Sequence, residues 1–216
     1  MTSLENVAAA LNPQQPLLIV DADEVLLKFV EHLEAFFPTE GYELRLTSFQ
    51  LSGNIFHIET NEAASPAKVT ELIGLFFTRC VDTVPAVNGA AEALQSLADQ
   101  FEIIILTNVP HQFRARREAA LHDLGFNYPV LSNAGEKGPA VKQLQSMTKS
   151  HSVFVDDLPP QIASVANHAP DTHLVHFVAD PRLAAMIDKA PGAHVRIDQW
   201  SLLQQHLSDM HTVPVK

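Results

Sequence analysis

A chain of 216 residues that is 46% hydrophobic and 18% charged has the composition of a globular protein, large enough to bury a core without metal or disulfide staples. Its 25 acidic and 14 basic side chains leave a net charge of −11, which repels nucleic-acid backbones and anionic membrane surfaces. Cys80 is the sole cysteine, which excludes an intramolecular disulfide or a thiolate cluster.

In chain order, the first sixteen residues carry no basic stretch ahead of an apolar one. No aliphatic run approaches the roughly 20 residues that span a bilayer. The expected setting is the cytoplasm, with no membrane or nucleic-acid partner. Leu17-Leu18-Ile19-Val20 follows Pro16 as a continuous aliphatic run, the pattern of a strand buried on both faces. Residues 25–82 then show two helical periodicities and no buried strand. Leu26, Phe29, Val30, Leu33 and Phe37 keep helical spacing, and so do Val69, Leu72, Ile73, Phe76, Phe77 and Cys80. The polar stretch 39–65 between them has room for a short hairpin or a further helix.

Beyond residue 82 helical and strand patterns alternate. Ala91, Leu94, Leu97 and Ala98 precede a strand at 101–106, and a helix over 112–124 carries Phe113, Leu121 and Leu124 on one face and stops at Gly125. A weaker strand covers 129–131, and Pro139 opens a helix to about residue 149. Strands follow at 153–155 and 174–178, with a weaker one at 195–197. The alternation predicts an α/β fold, a doubly wound parallel sheet. The helical insert directly after the first strand reads as a small cap over 28–82, which leaves 1–27 and 83–216 as the core.

Four short segments end these strands or open the next loop. Asp21-Ala22-Asp23 follows the first strand, Thr107-Asn108 ends the strand at 101–106, Lys137 sits between two glycines, and Asp156-Asp157 follows another strand. In an open parallel sheet ligands bind beyond the carboxyl ends of the strands, so the four segments should converge on one pocket. Carboxylates gathered there repel one another unless a cation intervenes, and an oxygen-only donor set favours Mg²⁺. A lysine and a threonine hydroxyl suit the non-bridging oxygens of a phosphoryl group. One carboxylate can attack phosphorus, and another can act as general acid and then base.

In this order, with a helical insert after the first, the segments resemble the four motifs of the haloacid dehalogenase (HAD) superfamily of aspartyl-phosphate hydrolases, over roughly residues 16–180. The resemblance implies a HAD-like Rossmannoid core and a Mg²⁺-dependent phosphatase acting on a small phosphorylated metabolite. A nucleoside monophosphate, a sugar phosphate and a phosphoglycolate-like acid are the substrate classes it leaves open. Asp21 would be the nucleophile and a metal ligand, and Asp23 the acid and base, with its carbonyl on the metal. Thr107, Asn108 and Lys137 would hold the phosphoryl group, and Asp156 would bind the metal directly, with Asp157 either a second ligand through water or an orienting group. The acid at Asp23 separates phosphate chemistry from the carbon–halogen chemistry of other members. Glu24 departs from the family, many of whose members carry glycine there. A phosphomutase or phosphotransferase would share the whole core, and a non-enzymatic ligand-binding protein is the other alternative.

The remaining polar residues carry weaker expectations. Arg114, Arg116 and Arg117 read as a solvated helix face, with the steering of an anionic substrate as the alternative. Lys28, Phe29, Phe56 and His57 are open to two readings, substrate contact from the cap or ordinary packing and exposure. The eleven histidines show no pair with metal-ligand spacing, and His173 and His176 should face opposite sides of their strand.

Overall fold

Four successive aliphatic side chains can all be buried only in a strand paired on both edges and covered on both faces. A computed structural model, which describes Val7 and residues 11–212, places β1 (Leu17–Val20) at such a position, with no residue more than 1% exposed. The chain continues through α1 (Phe29–Phe36), β2 (Tyr42–Leu44), β3 (Ile55–His57) and α2 (Pro66–Cys80). Then come α3 (Ala90–Leu97), β4 (Glu102–Thr107), α4 (Arg114–Asp123), β5 (Val130–Ser132), α5 (Gly138–Gln145) and β6 (Ser152–Asp156). The last elements are α6 (Pro159–His168), β7 (His173–His176), α7 (Pro181–Ala184), β8 (Val195–Arg196) and α8 (Trp200–Thr212). Residues 1–6, 8–10 and 213–216, which the expected core takes in at its two ends, lie outside the described residues.

The main sheet has the order β5-β4-β1-β6-β7-β8, and every pair in it is parallel. From β1 the chain runs outward through β4 and β5, then returns to the other side of β1 with β6. The strand order therefore reverses at β1, and a crevice opens at its carboxyl end. Alternate side chains go to opposite faces. Leu18, Val20, Ile103, Ile105, Val153 and Val155 join one buried cluster; Leu17, Ile19, Ile104, Leu106 and Phe154 join the other, under Val141 and Leu144 of α5 and Ile162 and Val165 of α6.

The stretch between the two insert helices contains a hairpin, β2 antiparallel to β3. Phe76 holds α2 against α1, edge-on to Phe29 at 5.3 Å and to Phe36 at 5.5 Å. The apolar spacing that begins at Leu26 runs ahead of the helix, which starts at Phe29. Leu26 N and Leu27 N both donate to Ala22 O in a turn, and Leu27 bridges to Ala86. Lys28 N donates to Pro85 O and Val87 N to Leu26 O, so the passages into and out of the insert lie side by side. Helix α5 stops short of the expected end because the chain turns back, with Lys149 N donating to Pro13 O and Thr148 Oγ1 to Gln15 O. Among the described residues no helix is long and apolar enough to cross a membrane.

Candidate active site

The crevice at the end of β1 brings together Asp21 from just past β1, Lys137 from the loop before α5, and Asp156 and Asp157 from the end of β6. Asp21 N donates to Val155 O, continuing the ladder one residue past β1. The loop bearing Lys137 is clamped to α6: Lys137 N donates to Gln161 Oε1 (2.8 Å), Gln161 Nε2 to Gly135 O (3.1 Å) and Gly138 N to Ser164 Oγ (3.2 Å). A Cβ at Gly138 would stand 2.4 Å from Ser164 O, so this approach requires glycine. Lys137 Nζ thereby lies 2.5 Å from Asp21 Oδ1 and 2.7 Å from Asp156 Oδ2. Burial opposes its charge, but Asp156 and Asp21 together outweigh that and hold the Lys137 pKa above its usual value.

Asp21, Asp156 and Asp157 each present an oxygen within 4.8 Å of the others, and all three are buried. Burial lifts Asp21 to a pKa of about 6, with Lys137 opposing and Asp156 adding to the rise. Burial also pushes Asp157 well above the usual carboxylate range, helped by Asp156, Asp21 and Glu24. Three carboxylates against one ammonium leave a buried excess of negative charge. The all-oxygen donor set fits a hard divalent cation such as Mg²⁺. His176, fully buried on β7, steadies this corner with Nε2 bonded to Asp157 O (2.9 Å), while its Nδ1 accepts from Ala190 N (3.1 Å).

The Asp23 carboxylate stands apart from the other three, with Oδ1 3.1 Å from Arg117 Nη2. Arg117 corrects the expectation of a solvated helix face, because it is 0% exposed. Only its neighbours stay outside: Arg114 pairs with Glu118, and Arg116 with Asp82 and Thr78 O. A signal for this was present, since Arg117 lies four residues from both Phe113 and Leu121, on the apolar stripe of the helix. Thr107 ends β4 fully buried, and its Oγ1 accepts from Val109 N. Asn108 reaches the Lys137 loop, its Nδ2 donating to Gly135 O and its Oδ1 accepting from Asn133 Nδ2. A cavity of about 220 Å³ opens over Asp21, Asp23, Asn108, Lys137 and Asp157.

Neither a protein-family model nor a curated protein matches the sequence. Solved structures match its shape. A HAD family hydrolase from Deinococcus radiodurans with bound phosphate and sodium has a TM-score of 0.62 at 16% identity, over 94% of this chain and 100% of that one. A haloacid dehalogenase-like protein of unknown function from Agrobacterium tumefaciens has a TM-score of 0.61 at 19% identity, over 91% and 99%. This chain has the haloacid dehalogenase-like fold.

Within this HAD-like fold Glu24 has a left-handed backbone, φ +61°, a conformation that favours glycine. Its buried carboxylate accepts from Val30 N at the start of α1 and from Asp180 N before α7, and burial lifts its pKa to about 7. Of the four residues open to a role from the insert, Phe29 alone lines the HAD-like chain's cavity. Lys28 pairs with Glu31, Phe56 lies under Arg45, and His57 meets Tyr42 edge-on.

Proposed function

We propose that the protein is a Mg²⁺-dependent phosphatase that hydrolyses a small phosphate monoester through an aspartyl-phosphate on Asp21. The observation that carries this reading is the buried cluster of Asp21, Asp156 and Asp157 around Lys137, with a fourth carboxylate, Asp23, held apart from it by Arg117. A phosphate-bound relative in shape agrees with it.

A carboxylate oxygen of Asp21 attacks phosphorus and the ester P–O bond breaks. Asp23 gives its proton to the leaving alcohol oxygen. Asp23 then takes a proton from water, whose oxygen attacks phosphorus; the bond to Asp21 breaks and inorganic phosphate leaves. Lys137, 2.5 Å from Asp21, keeps the nucleophile charged and offsets phosphoryl charge. Thr107 Oγ1 accepts from Val109 N, which leaves its own proton to donate to a phosphoryl oxygen. Asp21, Asp156 and Asp157, with the Asp23 carbonyl, would hold Mg²⁺, which neutralises the carboxylates and draws charge from the transferring group. Residues 28–82 act as the cap that closes the crevice.

The test is phosphate release from a panel of monoesters with Mg²⁺ or with chelator, beside an Asp21→Asn variant. Release should require Mg²⁺ and fall by several orders of magnitude in the variant. A folded protein that releases phosphate from no compound would instead be a ligand-binding protein on this scaffold.

A further inference from the structure

The cavity over the carboxylates is lined by side chains that phosphoryl chemistry does not use: Phe29 and Val30 of α1, Phe77 of α2, Leu183 of α7, and Phe49 and Leu51 of the loop between β2 and β3. The loop is held in shape from within. Asn54, 1% exposed, accepts from Thr47 Oγ1 (2.6 Å) and donates through Nδ2 to Ser48 O and Gln50 O (both 2.7 Å). Phe77 is seated between Phe29, 6.0 Å away, and Phe113 of the core, 6.5 Å away. The apolar lining is thus preformed.

Polar recognition of a leaving group has little to work with. The two oxygens of Glu24 are taken by Val30 N and Asp180 N, and Asn108 is engaged by Gly135 and Asn133. Among the described residues Lys137 is the one cation lining the cavity, and it already lies between Asp21 and Asp156. The other charged groups there are carboxylates, so a second anion on the substrate would be repelled and left unpaired. The volume of about 220 Å³ is below the roughly 300 Å³ at which pockets for drug-sized ligands begin, and it must also take the phosphoryl group.

We propose that this site selects phosphate monoesters of compact, uncharged, apolar alcohols, with a single ring or a short branched chain as the leaving group. Polyol phosphates, nucleoside monophosphates and carboxylated phosphates are the classes it disfavours. The proposal rests on the phosphatase reading above; each turnover consumes one water and releases the alcohol and inorganic phosphate.

Esters of primary alcohols keep the leaving-group chemistry comparable, so the experiment measures kcat/KM with Mg²⁺ for benzyl phosphate and isopentyl phosphate against glycerol 3-phosphate, ribose 5-phosphate and phosphoglycolate. The apolar pair should lead by about tenfold to a hundredfold, the scale on which apolar pockets discriminate. Phe49→Ser should shrink that lead about tenfold, with Leu51→Asn serving the same comparison if the first variant does not fold. Equal or faster turnover of a polyol or carboxylated ester overturns the proposal. If no ester is hydrolysed, the phosphatase reading fails separately, and calorimetry with benzylphosphonate and phosphonoacetate decides about the cavity. Tighter binding of benzylphosphonate upholds an apolar ligand, whereas equal binding, or none, overturns it.

Discussion

A guanidinium with no exposed surface is costly unless a carboxylate stands beside it, and Arg117 has Asp23 at 3.1 Å. None of its three guanidinium nitrogens finds a hydrogen-bond partner among the described residues, nor does Asp23 Oδ1, so the charge attraction of the ion pair is the main compensation. A double-mutant cycle of Arg117→Met and Asp23→Asn in urea unfolding should therefore give a coupling energy of about 1–3 kcal/mol. A value below about 0.5 kcal/mol would mean that the two side chains are buried independently. The pair also marks a limit of what the sequence reveals. Asp21, Asp23 and Asp156 were legible because each stands at the end of an aliphatic run, where a parallel sheet exposes its loops. Arg117 was obscured because arginine is rarely buried, even though its spacing from Phe113 and Leu121 put it on the inward stripe. Lys137 had the weakest local mark, a lysine beside glycine, since what places it is the contact of Gly138 with α6, a tertiary feature.

Between elements, the turn from β1 into α1 depends on Glu24. A left-handed non-glycine residue costs about 1–2 kcal/mol, which Glu24→Gly would relieve. The same substitution leaves Val30 N and Asp180 N without the carboxylate they share, and bonds to a charged acceptor contribute about 1.5–3 kcal/mol each. The variant should therefore be less stable by about 1–5 kcal/mol in urea unfolding; a gain in stability would show the strain to be the larger effect. Elements were the most legible level, because the central strands β1, β4 and β6 each coincide with an apolar run. The apolar spacing from Leu26 overshot the helix start, since Leu26 and Leu27 are buried in a turn and carry no helical signal of their own. The hairpin escaped a single reading because it has only three residues per strand, with Leu44 and Ile55 as its buried positions.

Over the whole molecule, buried titratable groups make stability depend on pH in opposing directions. Asp21 rises from 3.8 to about 6 and Glu24 from 4.5 to about 7, so between those values the folded state holds more protons than the unfolded one. Their contribution is present at low pH and is lost as pH climbs toward 7. His173 works the other way: burial, with His194 and His206 beside it, lowers it from 6.5 to about 4, and its contribution is lost as pH falls through that window. Comparing thermal unfolding with and without Mg²⁺ at each pH cancels the histidine. The rise in Tm on adding Mg²⁺ should be small near pH 5, where protons compete for Asp21, and largest above pH 7. A rise that is the same at every pH would place the cation away from these carboxylates.

The central position of β1 has a consequence during synthesis. Its two neighbours first pair with it at Glu102 and Ser152, far along the chain. At roughly 5–20 residues per second, the aliphatic run of β1 leaves the ribosome on the order of ten seconds before either edge can be covered. For that interval the nascent chain carries a short, extended, wholly apolar segment with both edges open, the form that chaperones grip and that other unfinished chains can pair with. The strand most deeply enclosed in the finished protein is thus the one exposed longest while the protein is being made.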